Sequence, residues 1–205
     1  MKYPIGILVM AFGGSYSLDE IRGYLADIRG GRTTPSRILE EISNNCRQIG
    51  GKSPMLEVTR RQVAAIQPHF EPTKFRFYLG MRHWSPWIED TIRDMLEDGI
   101  TRAVSLVLAP HYSNLSIAKY QAKITAGLEM HRGQIEFAHV ESYHDAPGLI
   151  QALAKPVEEG IGRWPAEIQP NVHVVFSAHS LPERITKMGD PYADQLHQTA
   201  KLGAE

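Results

Sequence analysis

The sequence predicts an α/β protein built on a doubly wound, Rossmann-like parallel sheet. Three observations carry this. The segments 5–11, 75–79, 103–108, 135–140 and 172–176 are apolar runs with little polar alternation, as expected of strands covered on both faces. Segments of helical periodicity lie between them, the pattern of right-handed βαβ crossovers. Ser-Pro pairs at 53–54 and 85–86, Gly13-Gly14 and Gly99 punctuate the joins between them.

Taken in order, the first strand ends in the turn Ala11-Phe12-Gly13-Gly14-Ser15-Tyr16-Ser17. Ser17 and Glu20 have capping-box spacing ahead of Ile21, Tyr24, Leu25 and Ile28, which share one helical face. Pro35 suits the first position of a helix whose apolar face is Ile38, Leu39, Ile42 and Ile49. Ser53-Pro54 reads as an N-cap with proline at N1, leading into Leu56, Val63 and Ile66. Ser85-Pro86 repeats the device before Ile88, Ile92, Met95 and Leu96, and Gly99 closes that helix as its C′ residue. Further helices are expected over about 115–130 and 148–158. The stretch from Gly160 to Pro170 is the most linker-like, with several breakers before the strand at 172. It sets the expected division: 1–165 as a nearly complete α/β domain, and 166–205 as the start of a second, similar one. The sequence stops inside the helical pattern LHQTAKLGAE, so a protein truncated at its C-terminus is expected.

Composition narrows the function. The chain has 205 residues, 42% of them apolar and 22% charged, enough for one large domain or one and a half. Twenty-two basic against 23 acidic residues give a net charge of −1, with no electrostatic footprint for nucleic acid or an anionic membrane surface. One cysteine, Cys46, excludes an intramolecular disulfide framework and a cysteine-based zinc site, and suits a reducing, cytoplasmic compartment. No stretch approaches the roughly 18 apolar residues of a membrane span. The turn at 11–17 lacks the third glycine of G-x-G-x-x-G, and no GK[ST] follows, so dinucleotide and nucleotide binding lose their main support. That turn serves either as a plain strand-to-helix connection or as a ligand-contacting loop, since open α/β sheets bind ligands beyond the carboxyl ends of their strands.

Among nine histidines, His179 stands out. It lies in Ser177-Ala178-His179-Ser180-Leu181-Pro182, just after the apolar run Val174-Val175-Phe176, and is expected at a strand's carboxyl end. His111 and His83 are expected at equivalent ends, so that three strands deliver imidazoles to one rim for metal ligation or proton transfer. His69, His131, His139 and His173 read as solvated or structural.

The segments LVMAFGG (8–14), IGGKSPM (49–55), RHWSPWIEDTI (82–92), LAPHYSNLSIAKY (108–120), VFSAHSLPERI (175–185) and GDPYADQLH (189–197), in this order, resemble the ferrochelatase family. The resemblance runs over essentially the whole chain and implies a chelatase-like fold. It also implies insertion of Fe²⁺, as substrate, into a porphyrin in haem biosynthesis, with no organic cofactor. The LAPHYS form resembles the Gram-positive branch acting on coproporphyrin III more than the branch acting on protoporphyrin IX. By resemblance His179 is the catalytic residue and meets the metal, while Arg29, Ser53 and Tyr120 match porphyrin-contacting positions. Asn45 and Cys46 fall where the family has a further contacting pair, but Cys46, eight residues after Ile38, also suits the core face of its helix. Phe12 stands where this branch carries a tyrosine that ligates product iron; a phenyl ring stacks on a macrocycle but cannot ligate. The glutamate that the family pairs with the histidine lies beyond residue 205. Two alternatives remain open: a sirohydrochlorin-type cobalt or nickel chelatase, and a truncated, non-catalytic porphyrin-binding module.

Overall fold

A computed structural model describes residues 4–205. Strands β1 (Ile5–Ala11), β2 (Phe75–Met81), β3 (Arg102–Val107) and β4 (Glu136–Val140) form one sheet in the order β2-β1-β3-β4, with β1 parallel to both neighbours. The central place of β1 explains its uninterrupted apolar run: Leu8, Val9 and Met10 have no exposed surface. The α/β sheet expected from the sequence is thus present.

The chain divides into two compact units: one up to Leu108 together with 120–139, the other 109–119 together with 140–205. The first unit holds almost the whole sheet. Its helices are α1 (Ile21–Ile28), α2 (Ser36–Gln48), α3 (Met55–Ile66), α4 (Ile88–Glu97) and most of α5 (Ile117–Met130). Ile88, Ile92 and Met95 of α4 and Ile124 of α5 are buried, each burial contributing about 1.5–3 kcal/mol relative to exposure. Gly99 follows α4 with φ +74°, the left-handed C′ conformation expected of it. Ile21 and Leu25 of α1 pack with Cys46 of α2, supported by Leu39 and Ile42. Ile49, expected on that face, lies just past the helix and is 62% exposed.

The helix starts differ locally from expectation. Ser17 caps nothing; the Glu20 carboxylate turns back to accept the Tyr16 amide at 2.6 Å, and α1 begins only at Ile21. Pro54 occupies the N-cap position, so Ser53 sits one residue outside it and accepts the Met55 amide at 3.3 Å. Trp87, not Ser85, caps α4, and the Ser85–Pro86 bond is cis.

The second unit holds α6 (Pro147–Ile161), α7 (Arg184–Lys187) and α8 (Tyr192–Leu202). The strand expected at 172–176 is absent: the segment forms no regular element, and Val175 is 85% exposed. A strand needs a ladder, and this unit contributes no neighbouring strand among the described residues to supply one. The units also cut the chain elsewhere than at 165/166. The Tyr112 amide donates to Gln195 Oε1 at 2.7 Å and Ser142 Oγ lies 3.0 Å from the same oxygen, tying 109–119 and 140–165 to α8.

Candidate active site

In the first unit, residues from separate elements converge beyond the carboxyl ends of β1 and β2. Their backbones are joined there: the Arg82 amide donates to the Ala11 carbonyl at 2.9 Å and the His83 amide to the Phe12 carbonyl at 3.0 Å. The Phe12 ring, 37% exposed, lies 4.6 Å from the His83 ring, and the Arg82 guanidinium stacks near both Phe12 and Tyr120. Asp27 of α1 holds His83 Nδ1 at 2.7 Å. Glu20 accepts Trp84 Nε1–H at 3.1 Å, and Tyr24 and Trp84 meet edge to face. The Tyr24 hydroxyl donates to the Gly13 carbonyl at 3.2 Å, so α1 braces the turn at 11–17. This turn adopts the left-handed conformation at Gly13, φ +94°, which glycine tolerates.

The residues assigned by resemblance separate into groups. Phe12 and Tyr120 share Arg82 between them, Phe12 exposed and Tyr120 buried. Ser53 joins the same turn: its amide donates to the Ser15 carbonyl at 2.9 Å, and a Cβ on Gly14 would overlap its side chain. Arg29 terminates α1 half-buried, its Nε buried without a hydrogen-bond partner, followed by Gly30 and Gly31 at positive φ. That orphaned donor is the feature a carboxylate ligand would satisfy. Asn45 is exposed on α2. Cys46 is 8% exposed in the α1–α2 core, so its sulfur packs there rather than lining a ligand surface.

In the second unit, His179 is exposed and lies in the irregular segment rather than at a strand end. Its carbonyl accepts the Tyr192 hydroxyl at 3.0 Å. The preceding Phe176, Ser177 and Ala178 line a 510 Å³ cavity together with His111, Leu196 and Thr199. His111 Nε2 lies 2.9 Å from Thr199 Oγ1, whose own hydrogen is directed to the His144 or Gln195 carbonyl. Nε2 is therefore the protonated nitrogen of His111 and Nδ1 carries the lone pair. The rings of His111 and His144 are 6.3 Å apart. The single rim of three imidazoles is not formed within either unit: His83 is bound to Asp27 in the first, and His111 and His179 belong to the second. Among the described residues no cluster of three metal-ligating side chains is present.

Burial sets the electrostatics. Desolvation lowers the pKa of His83 despite its hydrogen bond to Asp27, and lowers that of His111, with His144 adding to the effect. The Tyr120 phenol is pushed up to about 12 by burial, so it stays protonated. Sequence reasoning missed Asp27, Arg82 and His144 as parts of these groups. His83 and Arg82 follow a strand, which was a usable signal, but the pairing of Asp27 with His83 spans 56 residues and left no mark in spacing.

The ferrochelatase family model matches residues 4–205. The chain is 58% identical to the ferrochelatase of Deinococcus radiodurans over 98% of its own length and 64% of that protein's. It is 38% identical to the coproporphyrin III ferrochelatase of Bacillus subtilis over 100% of the chain and 67% of the relative. Identity to the ferrochelatase of Herpetosiphon aurantiacus is 34%, covering 100% of the chain and 68% of that protein. The chain thus spans about two thirds of the length of these curated relatives.

Proposed function

The chain belongs to the ferrochelatase family, and from that premise we propose that it serves the insertion of Fe²⁺ into a porphyrin in haem biosynthesis. The observation that carries the reading is the exposed Phe12 ring set among Arg82, His83 and the buried Tyr120, beside the turn that Ser53 closes. An exposed aromatic ring offers a stacking surface to a flat macrocycle, and cations receive its carboxylates. Coproporphyrin III is the substrate we assign, supported by the LAPHYS segment and by the Bacillus relative that carries that substrate in its name.

Insertion requires two pyrrole N–H bonds to break, their electron pairs remaining on nitrogen to bind iron while the protons leave. A neutral imidazole accepts such a proton or ligates borderline Fe²⁺, the role assigned to His179. Exposure leaves this side chain accessible to solvent, metal and macrocycle. Arg29, with its unsatisfied Nε, and Ser53 and Asn45 are assigned to the porphyrin's polar groups. The chemistry needs no organic cofactor. Among the described residues no helix is long and apolar enough to cross a membrane, and the single cysteine supports a reducing cytoplasm.

Replacing His179 by alanine tests the reading, with coproporphyrin III and Fe²⁺ under anaerobic conditions. Because the side chain is exposed, melting and the porphyrin absorbance shift are expected to match the parent chain while metal insertion is lost. Insertion at the parent rate would remove the role of His179. A porphyrin shift without insertion in the parent chain would instead identify a binding module.

A further inference from the structure

Arg82 lies just past β2, pinned beside β1 by the bond from its amide to the Ala11 carbonyl. Its guanidinium carbon is 5.3 Å from the Tyr120 ring centroid and 5.9 Å from that of Phe12. Stacking on rings engages the faces of a guanidinium and leaves its in-plane N–H donors for acceptors at the edge. Among the described residues no carboxylate forms an ion pair with Arg82, and no side-chain acceptor takes its donors. Asp27, whose field reaches it, is engaged by His83 Nδ1 at 2.7 Å. A cation that has lost part of its hydration and lacks an anion is stabilised by any carboxylate that arrives.

The geometry points to Arg82 as a specificity-determining residue: its free guanidinium edge receives a carboxylate of a macrocycle lying against Phe12, favouring the more highly carboxylated porphyrin. This rests on the porphyrin-binding reading above. A macrocycle with four propionates can place one toward this edge while others engage Arg29; exchanging propionates for vinyl groups leaves fewer partners for the two cations. A charge-assisted, planar contact of this kind separates ligands by about ten-fold or more.

The test titrates the full chain with coproporphyrin III and with protoporphyrin IX, following quenching of tryptophan fluorescence, for the parent, Arg82→Met and Arg82→Lys. The parent is expected to bind coproporphyrin III the more tightly. Arg82→Met keeps much of the side chain's length and should lose about ten-fold in affinity for coproporphyrin III with little change for protoporphyrin IX. Arg82→Lys, which keeps charge without the planar fork, should fall between them and weaken further as salt is raised. Equal weakening toward both porphyrins, or an unchanged preference, assigns Arg82 to packing and overturns the proposal. Should Arg82→Met melt early, the lysine variant decides: parental preference and salt dependence in it overturn the proposal. Failure of the parent to bind either porphyrin would instead overturn the reading on which this one rests.

Discussion

The Asp190 carboxylate accepts the Ser113 hydroxyl at 2.9 Å, and both side chains are buried. The same oxygen accepts the Asn114 amide at 2.8 Å, while the other accepts the Tyr192 amide at 3.1 Å. Ser113 Oγ in turn accepts the Leu115 amide at 3.1 Å. The Pro110–Asn114 loop and the Gly189–Tyr192 turn are therefore fixed to one another through a single acid. Asp190→Ala leaves a buried hydroxyl and backbone donors unsatisfied and should cost about 2–4 kcal/mol. For a chain of this size each kcal/mol corresponds to about 2–4 °C in melting temperature. Calorimetry on the variant measures it; an unchanged melt would mean that water replaces the carboxylate without loss.

Acid should destabilise the protein through two histidines. Burial is the leading cause that holds His83 and His111 below the ordinary imidazole value of 6.5; Asp27 opposes it at His83, while Arg82 and Lys123 reinforce it. Both rings are neutral in the folded state at pH 7, and as pH falls the unfolded chain takes up protons first. Their contribution is thus present above 6.5 and lost as pH drops through that value toward the lower folded pKa values. Urea midpoints should fall between pH 7.5 and 5.5, and His111→Gln should flatten that fall. In an NMR titration, Asp27→Asn should move the His83 midpoint lower still, because the substitution removes the opposing influence; an upward shift would contradict this assignment.

What was legible in the sequence follows the range of the interactions. Leu8, Val9 and Met10 reveal β1 because consecutive residues of a strand point to opposite faces, so a strand covered on both faces is apolar throughout, and that constraint is written locally. The same reasoning failed at 172–176, where the residues favour a strand but no partner strand is present among the described residues to complete it. Cys46 was placed correctly in the core by periodicity, against the resemblance that put it on the porphyrin. Ser53-Pro54 and Ser85-Pro86 misplace their caps by one and two residues: Pro54 itself takes the N-cap of α3, whereas Pro86 lies outside α4, whose N-cap is Trp87. Ser113–Asp190 and Asp27–His83 join residues 77 and 56 positions apart, and only the folded chain brings them together.

Phe12→Tyr provides a chemical test of the site. The ring is 37% exposed, so a para hydroxyl has solvent within reach and the fold should tolerate it within about 0.5 kcal/mol. The Arg82 guanidinium 5.9 Å from the ring centroid favours the phenolate over the phenol by the attraction of opposite charges. Oxygen at this position would therefore be supplied to iron in its stronger ligating form. When ferric coproporphyrin is added, the absorption spectrum of the tyrosine variant should show phenolate ligation that the parent lacks, with the same affinity for the metal-free porphyrin. Identical ferric spectra would place the Phe12 ring away from the metal centre, whereas loss of metal-free porphyrin binding would show that the phenyl face itself, rather than its edge, is in contact with the macrocycle.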